Sequence, residues 1–218
     1  MGRRREATGK DGNGDRPTEP SQARSRDTRV GLLEAAERII IEEGIRVLTV
    51  RRVGAVSGLN PTLVTYHFGT MTNLQAELCR LNLEPMLADW AAIGAHRSFT
   101  TLREVLEAWM PPLLRPAVFT SNGRSLIVLD EIAAHGDEEM SLQLLEPMLK
   151  LSSSVQQALQ PFVPHLSARE LRARVRFLSA ATLGPPPRAR MTDTDQQGLK
   201  IDGIEYLLNF AEAALSGK

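Results

Sequence analysis

LTVRRVGAVSGLNPTLVTYHFGTMTNL, Leu48 to Leu74, decides the fold of this 218-residue chain. Thr49 is an N-cap residue, and Val50, Val53 and Val56 follow on one face of a short helix. Gly54 within that helix costs about 1 kcal/mol relative to alanine, so a second helix is expected to approach closely there. Gly58 supplies a turn and Leu59 an apolar plug. Asn60 caps the next helix, with Pro61 at its first position, where a missing N–H is no loss. That helix, Pro61 to about His67, turns Leu63, Val64 and Phe68 inward and leaves Thr62, Thr65 and Tyr66 outside. Two short helices with a glycine turn and an apolar plug form a helix-turn-helix.

Upstream, Asp27 or Thr28 can cap a helix whose Leu32, Leu33, Ala35, Ala36, Ile39 and Ile40 repeat every 3.6 residues. Gly44 ends it. Residues 1–27 read as a disordered basic arm, because a stretch rich in Gly, Pro, Arg, Asp and Ser buries too little surface to offset ordering entropy. Eight Arg/Lys (Arg3, Arg4, Arg5, Lys10, Arg16, Arg24, Arg26, Arg29) face five acids in residues 1–29, while the whole chain has zero formal charge. The arm is therefore mildly basic and the body mildly acidic. It is either a solvated tail or an extension that touches phosphate or the minor groove.

Downstream, Thr70 or Thr72 opens a helix from Thr72 to about His96 carrying Leu74, Leu78, Leu81, Met86 and Trp90, with Pro85 as a candidate kink. Thr100 or Thr101 starts the next, broken by Pro111, Pro112 and Pro116. Asn122 to His135 is strongly apolar. Asp137 caps a helix to about Phe162, within which Pro147 predicts a kink. Ser167 caps a helix containing Leu171, Val175, Phe177, Leu178 and Ala181, ended by Gly184-Pro185-Pro186-Pro187. Residues 184–198 read as a polar loop, and Leu199 to Leu215 as the last helix.

The chain is thus expected to be all-α. Scarce aromatics (5%) favour helix over sheet, and 42% hydrophobic residues suit a globular core. A single cysteine, Cys79, excludes an internal disulfide and a cysteine zinc site, and reads as a small buried residue in a reducing cytoplasm. No apolar run reaches the roughly 20 residues of a membrane helix, and no apolar segment follows the basic N-terminus as in a signal peptide. No G-x-S-x-G, Walker A or G-x-G-x-x-G is present, so no enzymatic activity and no cofactor are expected. Asp130, Glu131, His135, Asp137, Glu138 and Glu139 cluster at a helix junction, where caps and solvated charge compete with a metal reading; no metal is expected.

Leu33-Glu34-Ala35-Ala36, Gly44, Thr49-Val50-Arg51, Gly58-Leu59-Asn60, Tyr66-His67-Phe68 and Thr70-Met71-Thr72-Asn73-Leu74 together resemble the TetR-type (TetR/AcrR) transcriptional regulators over about residues 28–78. The resemblance implies a three-helix DNA-binding domain at 28–74 and a helical ligand-binding and dimerisation domain at 75–218. It matches Arg51, Pro61, Thr62, Thr65 and Tyr66 to base-facing positions, with Asn60 beside them, and Thr49, His67 and Thr70 to phosphate-facing ones. Met71 stands where the family usually has lysine, and Thr65 where it usually has tyrosine, with Tyr66 adjacent.

The resemblance further implies a homodimer held by the last two helices, a double-stranded palindromic operator and a small-molecule effector of unidentified structure. Trp90, Phe99, Trp109, Met110, Phe119, Met140 and Met148 are the expected apolar lining of its pocket. A ligand-released repressor follows. A small-molecule sequestering protein with weakened DNA binding is the alternative, since Met71 removes one phosphate contact unless the basic arm compensates.

Overall fold

The computed structural model describes residues 20–94, 98–136, 138–183 and 203–217. Outside them lie most of the expected arm, His96, the expected cap Asp137, the 184–198 loop and the first residues of the expected last helix. Among the described residues the regular elements are all helical: α1 (Pro20–Glu43), α2 (Val50–Ser57), α3 (Thr62–Phe68), α4 (Met71–Gly94), α5 (Leu102–Trp109), α6 (Ser125–His135), α7 (Glu138–Leu159), α8 (Ala168–Ala181) and α9 (Ile204–Ser216).

Local chemistry sets most of the boundaries. Thr49, Thr101 and Ser167 hydroxyls accept from the backbone N–H three residues on, opening α2, α5 and α8. Glu104 reaches back past the cap of α5, accepting from Thr100 N at 2.7 Å and from the Thr100 hydroxyl at 2.8 Å. Gly44 (φ 86°) closes α1 and Gly58 (φ 70°) closes α2, both in the region that side chains avoid. α4 and α7 run through Pro85 and Pro147 without interruption.

Two helix starts differ from expectation. α1 begins at Pro20, not at Asp27 or Thr28; the Thr28 hydroxyl donates back to Arg24 O at 2.9 Å, as a residue inside a helix does. Gln22, Ala23 and Arg24 are good helix formers, and a proline fits the first turn. α6 begins at Ser125 rather than Asn122, because residues 115–125 close a tight turn first. In that turn Ala117 N donates to Gly123 O, Ser125 N to Arg115 O, and the Ser125 hydroxyl to Pro116 O, each at 3.0 Å.

α1, α2 and α3 stack at one end. α4 leaves them and packs against α5, α6 and α7; α8 lies against α7 and α9, and α9 against α5. Arg174 of α8 caps the end of α9 by donating to Ala214 O at 2.6 Å and Gly217 O at 3.0 Å. Among the described residues, the buried apolar side chains other than Ile127 form one continuous cluster from Leu32 to Leu215, so the two halves share a core.

Candidate nucleic-acid interface and interior cavity

α2 and α3 are pressed together at Gly54. A Cβ added there would stand 2.6 Å from Cγ of Pro61. The close approach expected at this glycine is therefore present, and Pro61 is its partner. Asn60 Oδ1 accepts from Thr62 N at 3.0 Å and from the Thr62 hydroxyl at 2.8 Å, which fixes the first turn of α3.

α3 then divides cleanly. Val64 and Phe68 are buried, whereas Thr62 and Thr65 are exposed and Tyr66 is 79% exposed. A tyrosine so open on a seven-residue helix contributes little to the core. His67 is half-buried, with its ring edge-on to Tyr66 at 5.0 Å and to Phe68 at 6.4 Å. Thr49, Arg51, Asn60, Pro61 and Thr70 are exposed on the same unit. Thr70 Oγ1 accepts from Asn73 N at 3.1 Å and starts α4. Met71 is half-buried and packs on the core.

The neighbouring cations have different tasks. Arg52 is held by Glu43 through two hydrogen bonds, at 2.6 and 3.2 Å. Arg29 of α1 lies over the Phe68 ring, 4.7 Å from its centroid, and donates to Glu77 of α4 at 3.1 Å. It thereby ties α1 to the end of α3 and the start of α4. Burial alone would raise the Glu77 carboxyl, but the hydrogen bonds and charges of Arg29 and Arg80 hold it below its usual range. Arg29 was legible only as one more basic residue of the arm; Phe68 at the far end of the motif was the missing partner.

A second group absent from the expected site is Glu37 of α1. It is fully buried, and its two oxygens accept from Asn82 Nδ2 (2.9 Å), Val118 N (3.2 Å) and Phe119 N (2.7 Å). The carboxylate dictates the Asn82 amide orientation, whose NH₂ also reaches Leu78 O at 3.1 Å. The signal lay in the pattern: Leu33, Ala36, Glu37 and Ile40 fall on one helical stripe, so an acid stands among apolar residues. Glu131 of α6 makes a similar contact, accepting from Ile45 N at 3.1 Å just beyond α1.

The seven expected pocket residues do not converge. Trp90, Met110 and Met140 are buried in the common core, and Trp90 Nε1 donates to Trp109 O at 2.8 Å. Phe119 is half-buried on the 115–125 turn. Phe99 lines an open cleft of about 410 Å³ with Ile93, Ser154 and Phe162. Trp109 and Met148 line a more enclosed cavity of about 220 Å³ with Leu113, Leu151, Val175 and Ser179.

Residues 32–78 match the family model of bacterial regulatory proteins, tetR family. That segment is a tetR-family domain. The chain's fold is similar to that of the TetR-family transcriptional regulator PfmR from Thermus thermophilus, with a TM-score of 0.61 at 16% identity over 86% of this chain and 95% of that one. A protein of Rhodococcus sp. described as a TetR-family transcriptional regulator gives a TM-score of 0.53 at 21% identity over 87% and 97%. No curated protein matches the chain. α2 and α3 both lie within the matched segment. Among the described residues no helix is long and apolar enough to cross a membrane.

Proposed function

We propose that this chain is a TetR-family homodimeric repressor that binds a palindromic double-stranded operator and leaves it when a small molecule occupies its C-terminal half. The two-faced α3 carries this reading: Val64 and Phe68 anchor it while Thr62, Thr65 and Tyr66 face outward beside Arg51. Arg51 can donate two hydrogen bonds to a guanine edge, and threonine methyls and the tyrosine ring can contact thymine methyls. Such direct contacts discriminate between base pairs, whereas phosphate contacts only position the protein.

One such helix covers few base pairs, and a two-fold copy doubles the footprint. α8 and α9 pack together and expose Phe177 (75%), Tyr206 and Phe210, an apolar face suited to pairing with itself. α4 runs from beside α3 to α5, α6 and α7, so a shift of its far end would change the spacing of the two recognition helices.

Selection of binding sites from a random duplex library, followed by gel-shift titration, tests the proposal. The expected result is a two-fold symmetric site bound at physiological salt by a dimer. Association that is salt-sensitive but blind to sequence would instead favour the sequestering reading; the packed position of Met71, which offers no charge to phosphate, is the observation on that side.

A further inference from the structure

The 220 Å³ cavity is walled by the end of α5 and the residues after it (Trp109, Leu113), by α7 (Met148, Ser152) and by α8 (Val175, Ser179). Among the described residues no charged side chain lines it. The Ser179 hydroxyl is spent on Val175 O at 3.0 Å, and Ser152 Oγ accepts from Gln156 Nε2 at 3.0 Å, which leaves Ser152 one proton to offer. An ion placed here would meet no charged partner, and the hydration it gave up to the apolar lining would go unreplaced. Two other clefts among the described residues are more open, and the one of about 450 Å³ holds the Asp89–Arg115 ion pair. By proportion to the cavity of about 150 Å³ that accepts benzene, 220 Å³ suits roughly nine non-hydrogen atoms.

One wall of this cavity is connected to the DNA reader. Thr182, at the end of α8, is buried, and its carbonyl accepts from the Arg124 guanidinium. Its hydroxyl donates to Ser179 O at 2.6 Å. Arg124 also closes the 115–125 turn, bridging antiparallel to Pro116. The other side of that turn lies on α1. A Cβ added at Gly123 would stand 2.3 Å from Ile41 Cδ1, so the turn lies directly on that side chain of α1, and Val118 and Phe119 donate their N–H groups to buried Glu37. The turn is thus a bracket with one end on the cavity wall and the other on the first helix of the reader.

Resting on the repressor reading above, we infer that this cavity binds a neutral, largely apolar molecule with at most one acceptor, and that the 115–125 bracket carries its occupancy to Glu37. A ligand that displaces the last turn of α8 moves Thr182, and through Arg124 the bracket. Glu37, gripped by three donors, moves α1 with it. Glu37 is a positioning residue: it touches neither ligand nor DNA.

The test uses the full chain, n-octanol as neutral probe, octanoate as its charged counterpart and a duplex selected by the protein itself. By calorimetry and by emission of the two tryptophans, n-octanol binds and octanoate does not; Ser179→Leu, which fills the cavity, abolishes the n-octanol response. n-Octanol lowers operator affinity of the wild type by at least about fivefold, and that of Glu37→Gln by less than about twofold although the probe still binds. If Glu37→Gln does not fold, Arg124→Met at the other end of the bracket reads the same loss. Equal binding of octanoate, or n-octanol binding undiminished by Ser179→Leu, would overturn the ligand class or the site. A Glu37→Gln variant (or Arg124→Met) as responsive as the wild type would overturn the bracket. A chain that selects no duplex would remove the repressor reading and the bracket with it, while the calorimetric comparison would still decide the cavity.

Discussion

Replacing Gly54 by alanine sets two effects of opposite sign against each other. Helix propensity alone favours the change by about 1 kcal/mol, because glycine loses more backbone freedom on folding. Sterics oppose it. The new Cβ would lie 2.6 Å from Pro61 Cγ, 3.0 Å from Pro61 Cδ and 3.1 Å from Leu59 O. Carbon atoms pack at about 3.5–4 Å, so α2 and α3 must part by roughly 1 Å. Neither neighbour can yield by rotation: one is a proline ring and the other a backbone carbonyl. Overpacking of this kind costs about 1–3 kcal/mol. The net expectation is a loss of about 1 kcal/mol in stability, read as a lower urea midpoint at unchanged slope. Displacing α3 should also lower operator affinity by about tenfold, ~1.4 kcal/mol. Ala55→Gly is the control: Ala55 is exposed on the same helix, so it should lose about 1 kcal/mol of stability with operator affinity of the folded protein unchanged. A midpoint that rises for Gly54→Ala would show that no close contact exists there, and the reasoning would be refuted.

Tyr66→Ala should weaken operator binding by at least about tenfold while shifting the urea midpoint by under about 0.5 kcal/mol, since an exposed side chain carries little stability; a large midpoint shift would return Tyr66 to the core. Phe177→Glu combined with Phe210→Glu should sediment as a monomer, because both phenylalanines are exposed on the α8–α9 face; a persisting dimer would place the interface elsewhere. Burial pushes the Cys79 thiol up to about 11. At pH 8 only about one part in a thousand is thiolate, so alkylation by iodoacetamide should be at least about a hundredfold slower than in urea; equal rates would mean the site opens freely.

Much of this was legible in the sequence because it rests on neighbours in the chain. The caps at Thr49, Thr101 and Ser167 need only a backbone N–H three residues away, and Gly54 and Asn60-Pro61 announce their contact within a dozen residues. The outward set on α3 followed from the 3.6-residue period. The start of α1 was misplaced because Asp27-Thr28 makes a persuasive cap, yet nothing in residues 20–27 prevents a helix from beginning earlier. The expected lining failed for another reason. Periodicity shows that Trp90, Met110 and Met140 face inward, but not whether the interior beside them is filled. Glu37 and Arg29 depend on partners 45 to 82 and 48 positions away, which no local pattern encodes.

The unbroken apolar cluster from Leu32 to Leu215 has a genetic consequence. A reader that shares its core with the rest of the chain has no private stability. Core substitutions far from DNA, at Leu171 or Leu208 for example, should therefore lower operator occupancy in a cell as surely as changes in α3. A genetic screen for lost repression would return both kinds of variant. They would separate by protein abundance: α3 variants accumulate normally, whereas core variants are cleared as unfolded chain.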